Sequence, residues 1–252
     1  MRHTVGTEEA IQRWDAFADT YSKNHTENGD IHKEVFLNPT LLSLLENIKG
    51  KKILDAGCGE GYLSRILSKS GAEVTAVDYS SRMIEIARER TKIDLLIDYR
   101  HGNCEDLNFL ENESFDVIVS NMVIHDLADY EKAFSEMYRL LVNGGTFIFS
   151  ILHPCFITPG SGWEKTASGE KLHWNVDNYF YEGAYEQPGM GDKKKIFFFH
   201  RTLTSYINSL VNTGFVLEGI VEPKPSEEML QKYPSFKEDE RCADFIVFKL
   251  RK

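Results

Sequence analysis

Short apolar runs alternate with amphipathic stretches through the middle of this chain. A run with few polar interruptions is typical of a strand covered on both faces, and apolar positions three and four apart are typical of a helix. Strands are predicted at 52–56, 73–78, 98–101, 114–120 and 146–151. Helices are predicted at 62–69, 82–90 and 129–141. This alternation predicts an α/β fold with a doubly wound parallel sheet.

Both ends of the chain add elements to this core. Further helices are predicted at 7–24, 40–48 and 202–213, and two closing strands at 215–221 and 243–250. Gly50 follows the second of these helices as its stop signal. A polar loop with prolines separates the closing strands. We expect those strands to form an antiparallel hairpin on a mostly parallel seven-stranded sheet.

The alternation of strand and helix stops after Leu152. Residues 153–200 have no long helical period, and they contain prolines, glycines and many aromatic residues. A loop of this length in a compact domain is usually functional or disordered, and the aromatic content argues against disorder. We expect an inserted lid or small antiparallel unit that builds a substrate pocket, the alternative being a small core without ligand. Unranked candidates for that pocket are His153, Trp163, Trp174 and Tyr181.

Composition narrows the functional classes. The 252 residues carry a formal net charge of −10, which argues against a protein that wraps a nucleic-acid backbone. No apolar run approaches the roughly 20 residues that span a bilayer, and the first residues lack the apolar region of a signal peptide. The four cysteines are too widely spaced for a zinc site or a disulfide framework. We therefore expect a cytoplasmic protein without a membrane span, a nucleic-acid partner or a metal ion.

The candidate chemistry lies in residues 51–64, KKILDAGCGEGYLS. Asp55 ends the first predicted strand, and Gly57, Gly59 and Gly61 follow before a helix begins. Glycine lacks a Cβ, so such a turn can adopt positive φ and its backbone can approach a ligand closely. The alternative is that the three glycines only form a sharp loop between strand and helix.

A second acidic residue favours a nucleoside ligand. Asp78 ends the second predicted strand, about 20 residues past the glycine turn, where a carboxylate suits ribose hydroxyls. A dinucleotide fingerprint requires a third glycine at position 62, but Tyr62 stands there and Gly61 comes one residue early. The acids Asp55 and Glu60 beside the loop are expected to repel a pyrophosphate and to suit a ligand with an ammonium and a sulfonium.

The stretch DAGCGEG, with VDYS downstream, resembles the motifs of class I S-adenosylmethionine (SAM)-dependent methyltransferases of the small-molecule type. The chain is similar in arrangement to the ubiquinone and menaquinone biosynthesis group. The resemblance implies a Rossmann-like methyltransferase fold, SAM as cofactor with S-adenosylhomocysteine (SAH) as product, and a small-molecule acceptor. Alternatives are a non-catalytic SAM- or SAH-binding protein, an NAD(P)-dependent oxidoreductase, and a methyltransferase acting on a macromolecule.

The resemblance also implies which residues bind the cofactor. They are Asp55, Gly57, Cys58, Gly59, Asp78, Tyr79, Asn103, Cys104 and Asn121. The glycines admit the amino-acid moiety, Asp55 orients their loop, and Asp78 accepts from the ribose hydroxyls. Asn103 stands where the family usually has an aspartate in its adenine-binding loop. Its role is therefore left open, whereas a backbone contact from Cys104 does not depend on it.

Two residues are candidates for catalysis. His125 follows the fourth predicted strand, where the family places residues that face the acceptor, so it is either a pocket base or donor, or a structural histidine. Tyr21 belongs to an N-terminal segment that covers the cofactor in related enzymes, and His25 is a further candidate there. The expected organisation is a helical cap (1–49), a SAM-binding core (50–152), an aromatic lid (153–200) and the C-terminal part of the core (201–252). Oligomeric state stays open, with a homodimer among the alternatives.

Overall fold

A mixed seven-stranded sheet forms the centre of the protein. The computed structural model describes residues 5–188 and 195–252, and residues 1–4 and 189–194 lie outside the described part. Its strands are β1 (Lys52–Ala56), β2 (Glu73–Asp78), β3 (Ile97–His101), β4 (Phe115–Asn121), β5 (Leu141–Leu152), β6 (Gly162–Lys165), β7 (Lys171–Asn175), β8 (Gly183–Pro188), β9 (Lys195–His200), β10 (Val216–Val221) and β11 (Phe245–Arg251). The sheet order is β10-β11-β5-β4-β1-β2-β3. Strand β11 runs antiparallel to both β5 and β10, and the other pairs are parallel. The predicted mostly parallel sheet with a C-terminal antiparallel hairpin is confirmed.

Helices cover both faces of this sheet. They are α1 (Thr7–Lys23), α2 (Asn38–Leu44), α3 (Tyr62–Lys69), α4 (Ser81–Arg90), α5 (Tyr130–Leu140), α6 (Leu203–Thr213) and α7 (Glu227–Lys232). Side-chain caps start four of them, because the oxygens of Ser80, Asp129, Thr202 and Ser226 each accept a backbone N–H from the first turn. Apart from the start of β5, the central α/β alternation agrees with the pattern of apolar positions to within one or two residues.

Two elements differ in position from the prediction: the helix before β1 and the strand β5. The helix expected at 40–48 is shifted toward the N-terminus: a π-helical turn at Lys33–Leu37 leads into α2, and Leu45 is already extended. Burial of Val35 and its neighbours holds this turn, which has no capping signal in the sequence. Strand β5 begins five residues before the expected position 146. An irregular register between Phe115 and Val117 absorbs the extra residues around its glycine pair.

The loop expected between the closing strands is partly helical. Ser226 caps α7, accepting a hydrogen bond from the backbone N–H of Met229, and a 3₁₀ segment follows at Pro234–Arg241. Phe236 in that segment is buried against the ring of Phe36, with ring centroids 5.3 Å apart. This contact could not be predicted from the polar composition of the segment, because one buried aromatic residue in a polar stretch produces no periodic signal.

The aromatic segment after β5 folds into two antiparallel hairpins, β6–β7 and β8–β9. Strand β9 packs on α1, where Phe197 and Phe199 bury Ala10. Strand β9 also contacts the 3₁₀ turn at Ile124–Asp126, which directly follows β4. The second hairpin and α1 therefore meet above the carboxyl ends of the parallel strands. Within the described ranges, no helix is both long enough and apolar enough to cross a bilayer.

Candidate active site at the carboxyl ends of the strands

A cavity of about 100 Å³ lies at the carboxyl ends of β1, β2 and β4. In an open parallel sheet this edge is where ligands bind. Ten of the candidate site residues from the sequence line the cavity: Tyr21, His25, Asp55, Gly57, Cys58, Gly59, Asp78, Tyr79, Cys104 and Asn121. The topology thus brings most of the predicted site residues together.

The glycine loop between β1 and α3 has three left-handed residues with separate reasons for being glycine. Gly57, Gly59 and Gly61 have φ values of 81°, 53° and 80°. A Cβ on Gly57 would lie 2.3 Å from a methyl group of Val123, and one on Gly61 would lie 2.5 Å from the Tyr99 hydroxyl. A Cβ on Gly59 would meet no atom within 4 Å. Gly59 is thus the position of the loop where the backbone faces open space that a ligand can approach.

Asp78 ties this loop to the next one. Its Oδ2 accepts from the Gly59 N–H and its Oδ1 from the Ser80 N–H, both at 2.8 Å. Burial raises the pKa of its carboxyl, while these two backbone donors lower it. Each oxygen has a further lone pair, so the carboxylate can also accept from the hydroxyls of a ribose.

Asp55 is directed into the protein instead. It is 1% exposed, and Ser64 Oγ donates to its Oδ2 at 2.5 Å. Burial raises the pKa of Asp55 to about 7. Asp55 therefore holds the beginning of α3 against the end of β1, in keeping with a role in orienting the loop.

Glu60 is fully paired. Its carboxylate accepts from Arg65 at 2.8 Å and Arg90 at 3.1 Å, and it lies 3.3 Å from Nδ1 of His25. The expectation that Glu60 repels a pyrophosphate is wrong, because these partners compensate its charge. The case against a dinucleotide rests on the spacing of the glycines and on Tyr62.

Helix α1 closes the cavity and is fastened to α4. Asp15 Oδ1 accepts from Ser80 Oγ at 2.5 Å and from the Arg82 N–H at 3.1 Å. The Arg82 guanidinium also lies 2.8 Å from Asp19 on the next turn of α1. We call these contacts between Asp15, Asp19, Ser80 and Arg82 the α1–α4 clasp.

A buried ion pair beside Tyr21 was not predicted. Lys33 Nζ donates to the Tyr21 hydroxyl at 2.5 Å and lies 3.1 Å from Asp30. Burial opposes the charge of Lys33, but Tyr21 and Asp30 raise its pKa above the ordinary value. Sequence reasoning missed this pair because it lies in the π-helical turn and the loop before it, where no periodicity marks buried positions.

A second cavity of about 330 Å³ adjoins the first. Five residues line both cavities: Trp14, Tyr21, Lys33, Met122 and Asp126. Met122 has a φ of 63°, which is uncommon for a residue with a side chain. Its N–H donates to the carbonyl and to Oγ of Ser150, both at 3.0 Å, and these bonds hold the turn. Such strained positions cluster at functional sites.

His125 lines the second cavity and not the first. Its ring packs edge-on to Phe198, with centroids 5.1 Å apart, and its Nδ1 has no hydrogen-bond partner among the described residues. Burial, reinforced by Arg201, lowers the pKa of His125 to about 3. The imidazole is therefore neutral, and its free nitrogen is available to hydrogen-bond a molecule in that cavity.

Asn103 and Asn121 use their side chains to hold the protein together. Asn103 lies outside the lining of either cavity; its Oδ1 accepts from the Glu105 N–H at 3.0 Å. An adenine contact by this side chain stays a prediction. Asn121 donates to the Tyr62 hydroxyl at 2.5 Å and accepts from Ser150 Oγ at 2.5 Å. It therefore positions the end of β4 beneath the cavity.

Of the aromatic candidates in the inserted hairpins, Trp174 lines the second cavity. Its Nε1 donates to the Phe156 carbonyl at 2.9 Å, which fixes the indole in place. Trp163 packs edge-on behind it, with centroids 5.4 Å apart. His153 and Tyr181 are not among the lining residues. In the described ranges, no group of three or more His, Cys, Asp or Glu side chains is placed to hold a metal ion.

The comparisons with known proteins agree with this geometry. The methyltransferase-domain family matches residues 54–149. A solved structure from Listeria monocytogenes is described as an S-adenosylmethionine-dependent methyltransferase. It is 30% identical to this chain and superposes with a TM-score of 0.76, covering 85% of this chain and 95% of that one. An uncharacterised protein of Haemophilus influenzae is 30% identical over 94% of this chain and 95% of its own length.

One relative that has a named activity matches this chain over only part of its length. The ubiquinone biosynthesis O-methyltransferase of Coxiella burnetii is 33% identical over 48% of this chain and 53% of its own length. The match of the family domain ends at residue 149. The family domain therefore describes residues 54–149, which supply most of the lining of the first cavity, and not the segments outside that range that line the second cavity.

Proposed function

The chain belongs to the class I SAM-dependent methyltransferases, and from that premise we propose that its acceptor is a small molecule held in the 330 Å³ cavity. The observation that carries the proposal is the set of five residues shared by the two cavities. A donor in the first cavity and an acceptor in the second would meet at that boundary. The volume suits a small ligand, since such pockets usually measure about 300–1,000 Å³.

The residues of the first cavity fit SAM by their chemistry. Gly59 leaves room for the close approach of an amino-acid moiety, and Asp78 supplies carboxylate lone pairs for a ribose. Tyr79 and Cys104 also line this cavity, and the family resemblance places Cys104 in the adenine-binding loop. SAM supplies a methyl group that is already activated by its sulfonium. The protein then needs chiefly to align donor and acceptor and to exclude water.

Helix α1 and the hairpin β8–β9 cover the two cavities and would exclude water from them. Arg13 of α1 pairs with Glu186 of β8 at 2.7 Å and lies over the ring of Phe197, 3.6 Å from its centroid. This cover supports the expected roles of residues 1–49 as a cap and 153–200 as a lid. A small molecule fits under such a cover, whereas a folded RNA or protein would have to displace it.

The test is a calorimetric titration of the protein with SAM, SAH and NADH, followed by incubation with methyl-labelled SAM and a metabolite extract. We expect binding of both adenosyl ligands, no binding of NADH, and label in a low-mass product. Label that appears only in protein or RNA would refute the small-molecule acceptor. A protein that binds SAH yet labels nothing in any extract would support the non-catalytic alternative.

A further inference from the structure

The boundary between the two cavities holds a carboxylate oxygen without a partner. Oδ1 of Asp126 is buried and makes no hydrogen bond within the described part of the chain, and the Trp14 indole N–H borders the same carboxyl group. Asp126 as a whole is only 8% exposed. Buried polar groups are nearly always paired in folded proteins, so an unpaired one marks a position where a bound molecule can complete the hydrogen bonding.

The charged groups around the second cavity are unbalanced. Asp30, Asp126 and Asp244 line it, and Lys33 is the one lysine or arginine among its described lining residues. The Lys33 ammonium is already held by Asp30 at 3.1 Å and by the Tyr21 hydroxyl at 2.5 Å. Among the described lining residues, an anionic acceptor would therefore find no unengaged lysine or arginine, while Asp126 and Asp244 remain for a cation.

Aromatic rings form the rest of the boundary. The rings of Trp14, Trp174, Phe198 and Phe245 line the second cavity together with these carboxylates. Aromatic faces attract cations, and the attraction is larger when the cation is removed from water. Carboxylates set among aromatic rings thus select a protonatable nitrogen over a carboxylate or a phosphate.

We propose that the acceptor is a small amine and that Asp126 receives the proton of the nitrogen that is methylated. This inference rests on the proposed methyltransferase function. In the step, the bound ammonium first gives one proton to the Asp126 carboxylate, which frees the nitrogen lone pair. That lone pair forms the new N–C bond while the C–S bond breaks with its electrons going to sulfur, so that a methylated ammonium, the thioether product and a protonated Asp126 remain.

The surroundings of Asp126 suit such a proton transfer. Burial raises the pKa of Asp126 well above its ordinary value, and Asp78 adds to this effect, whereas Trp14, Arg201 and Lys33 lower it. A carboxylate with a raised pKa is a better proton acceptor near neutral pH. Nε2 of His125 lies 3.9 Å from Oδ1 of Asp126, so its neutral imidazole borders the same point without supplying a charge.

Sinefungin tests the position of Asp126 without any acceptor. This SAM analogue carries a protonated amine on the carbon that replaces the methylated sulfur. We expect it to bind at least tenfold more tightly than SAH, as one charge-assisted hydrogen bond implies. Asp126→Asn should abolish that preference, with the SAH affinity of each protein serving as its own reference. A sinefungin-to-SAH ratio that is the same in both proteins would overturn the assignment.

Three matched probes test the class of acceptor. The SAH-loaded protein is titrated with 2-phenylethylamine, 2-phenylethanol and 3-phenylpropionate. We expect the amine to bind at least tenfold more tightly than the other two, and Asp126→Asn to remove the difference. Tighter binding of the carboxylate, equal binding of all three, or no saturable binding of the amine would each refute an amine acceptor.

Asp244→Asn is the matched control, because Asp244 lines only the second cavity. It should weaken binding of the amine probe and leave the sinefungin-to-SAH ratio unchanged. A change of that ratio would count against Asp126 as the residue that faces the amine. Failure of SAH itself to bind would refute the proposed function and is recorded separately in every titration.

Discussion

At the scale of single residues, the site depends on a few side chains whose surroundings give each a different task. Asp55 and Asp78 end neighbouring strands, yet one is buried against Ser64 and the other holds two backbone N–H groups of the cavity wall. Gly57 and Gly59 are two positions apart, yet a Cβ at Gly57 would collide with Val123, whereas a Cβ at Gly59 would meet no protein atom. These differences separate residues that maintain the fold from residues that contact a ligand.

Asp78→Ala is expected to weaken SAM binding at least tenfold. Each charge-assisted hydrogen bond to a ribose hydroxyl is worth about 1.5–3 kcal/mol, and the variant loses the bonds that the Asp78 carboxylate would accept. Calorimetry on the folded variant measures the effect. Asp98→Ala is the control, because among the described residues the exposed Asp98 side chain pairs with Arg100 alone. Unchanged affinity in Asp78→Ala would remove Asp78 from the cofactor site.

Gly59→Ala should separate binding from folding. A left-handed φ costs an L-residue about 1–2 kcal/mol, and the added methyl group meets no protein atom, so the variant should fold. SAH affinity should nevertheless fall at least tenfold, because the methyl group occupies the ligand's side of the loop. Gly57→Ala should lose more stability, since its Cβ collides with Val123. Urea unfolding and SAH titration of both variants give the comparison, and normal SAH binding by Gly59→Ala would contradict it.

Asp55 should make the stability of the ligand-free protein depend on pH. Its pKa is about 7 when folded and about 3.9 when unfolded, so between these values only the folded protein holds the proton. The contribution of Asp55 to the free energy of unfolding therefore falls as pH rises from about 4 to about 7. Urea unfolding of the wild type and of Asp55→Asn across this range isolates it. A difference between the two proteins that does not vary with pH would contradict the shift.

At the scale of elements, the site is a junction of short connections. The glycine turn, the strand ends and the start of α4 could be predicted, because each combines an apolar run with a cap or a glycine. The π-helical turn before α2, the buried Lys33 and the helical segment containing Phe236 could not, because their burial comes from distant contacts. The second cavity is formed almost entirely by such contacts. Asp126 was therefore missed although its neighbour His125 was singled out.

The α1–α4 clasp should govern access to the first cavity. Helix α1 covers the first cavity, so we expect exchange of the cofactor to involve movement of α1. Arg82→Gln removes an exposed ion pair worth up to about 1 kcal/mol, so SAH should dissociate about two- to fivefold faster. Stopped-flow fluorescence of Trp14, which lines the cavity, can follow the release. Arg100→Gln is the control for loss of an exposed arginine, and an unchanged rate in Arg82→Gln would show that release does not require opening of the clasp.

At the scale of the whole molecule, a chain of buried hydrogen bonds joins the N-terminal segment to the sheet. It runs from Ser150 through Asn121 and Tyr62 to Asn38, whose amide donates to the carbonyl of Asn28. The chain connects β5, β4, α3 and α2 beneath the first cavity. We therefore expect the N-terminal segment to unfold together with the core, a coupling that hydrophobic periodicity alone did not reveal.

Tyr62→Phe should destabilise the protein as a whole. Removal of the hydroxyl leaves buried polar atoms of Asn38 and Asn121 unpaired, at a cost of about 1–3 kcal/mol for each. Urea unfolding should show one transition at a lower midpoint. Tyr138→Phe is the matched control, because its hydroxyl makes no hydrogen bond within residues 5–188 and 195–252. A separate early transition in Tyr62→Phe would mean that the N-terminal segment unfolds independently.

The second cavity is lined from both ends of the chain and from the insertion, whereas the first is lined mainly by one continuous half. Trp14, Trp174 and Phe245 reach it from three segments that lie outside residues 54–149, the part matched by the family domain. Evolution can therefore exchange what is methylated without disturbing how the methyl group is delivered. Specificity in this lineage should be transplantable: grafting residues 5–45, 153–200 and 244–245 of one member onto the core of another that shares the residue at position 126 should carry the choice of acceptor with them.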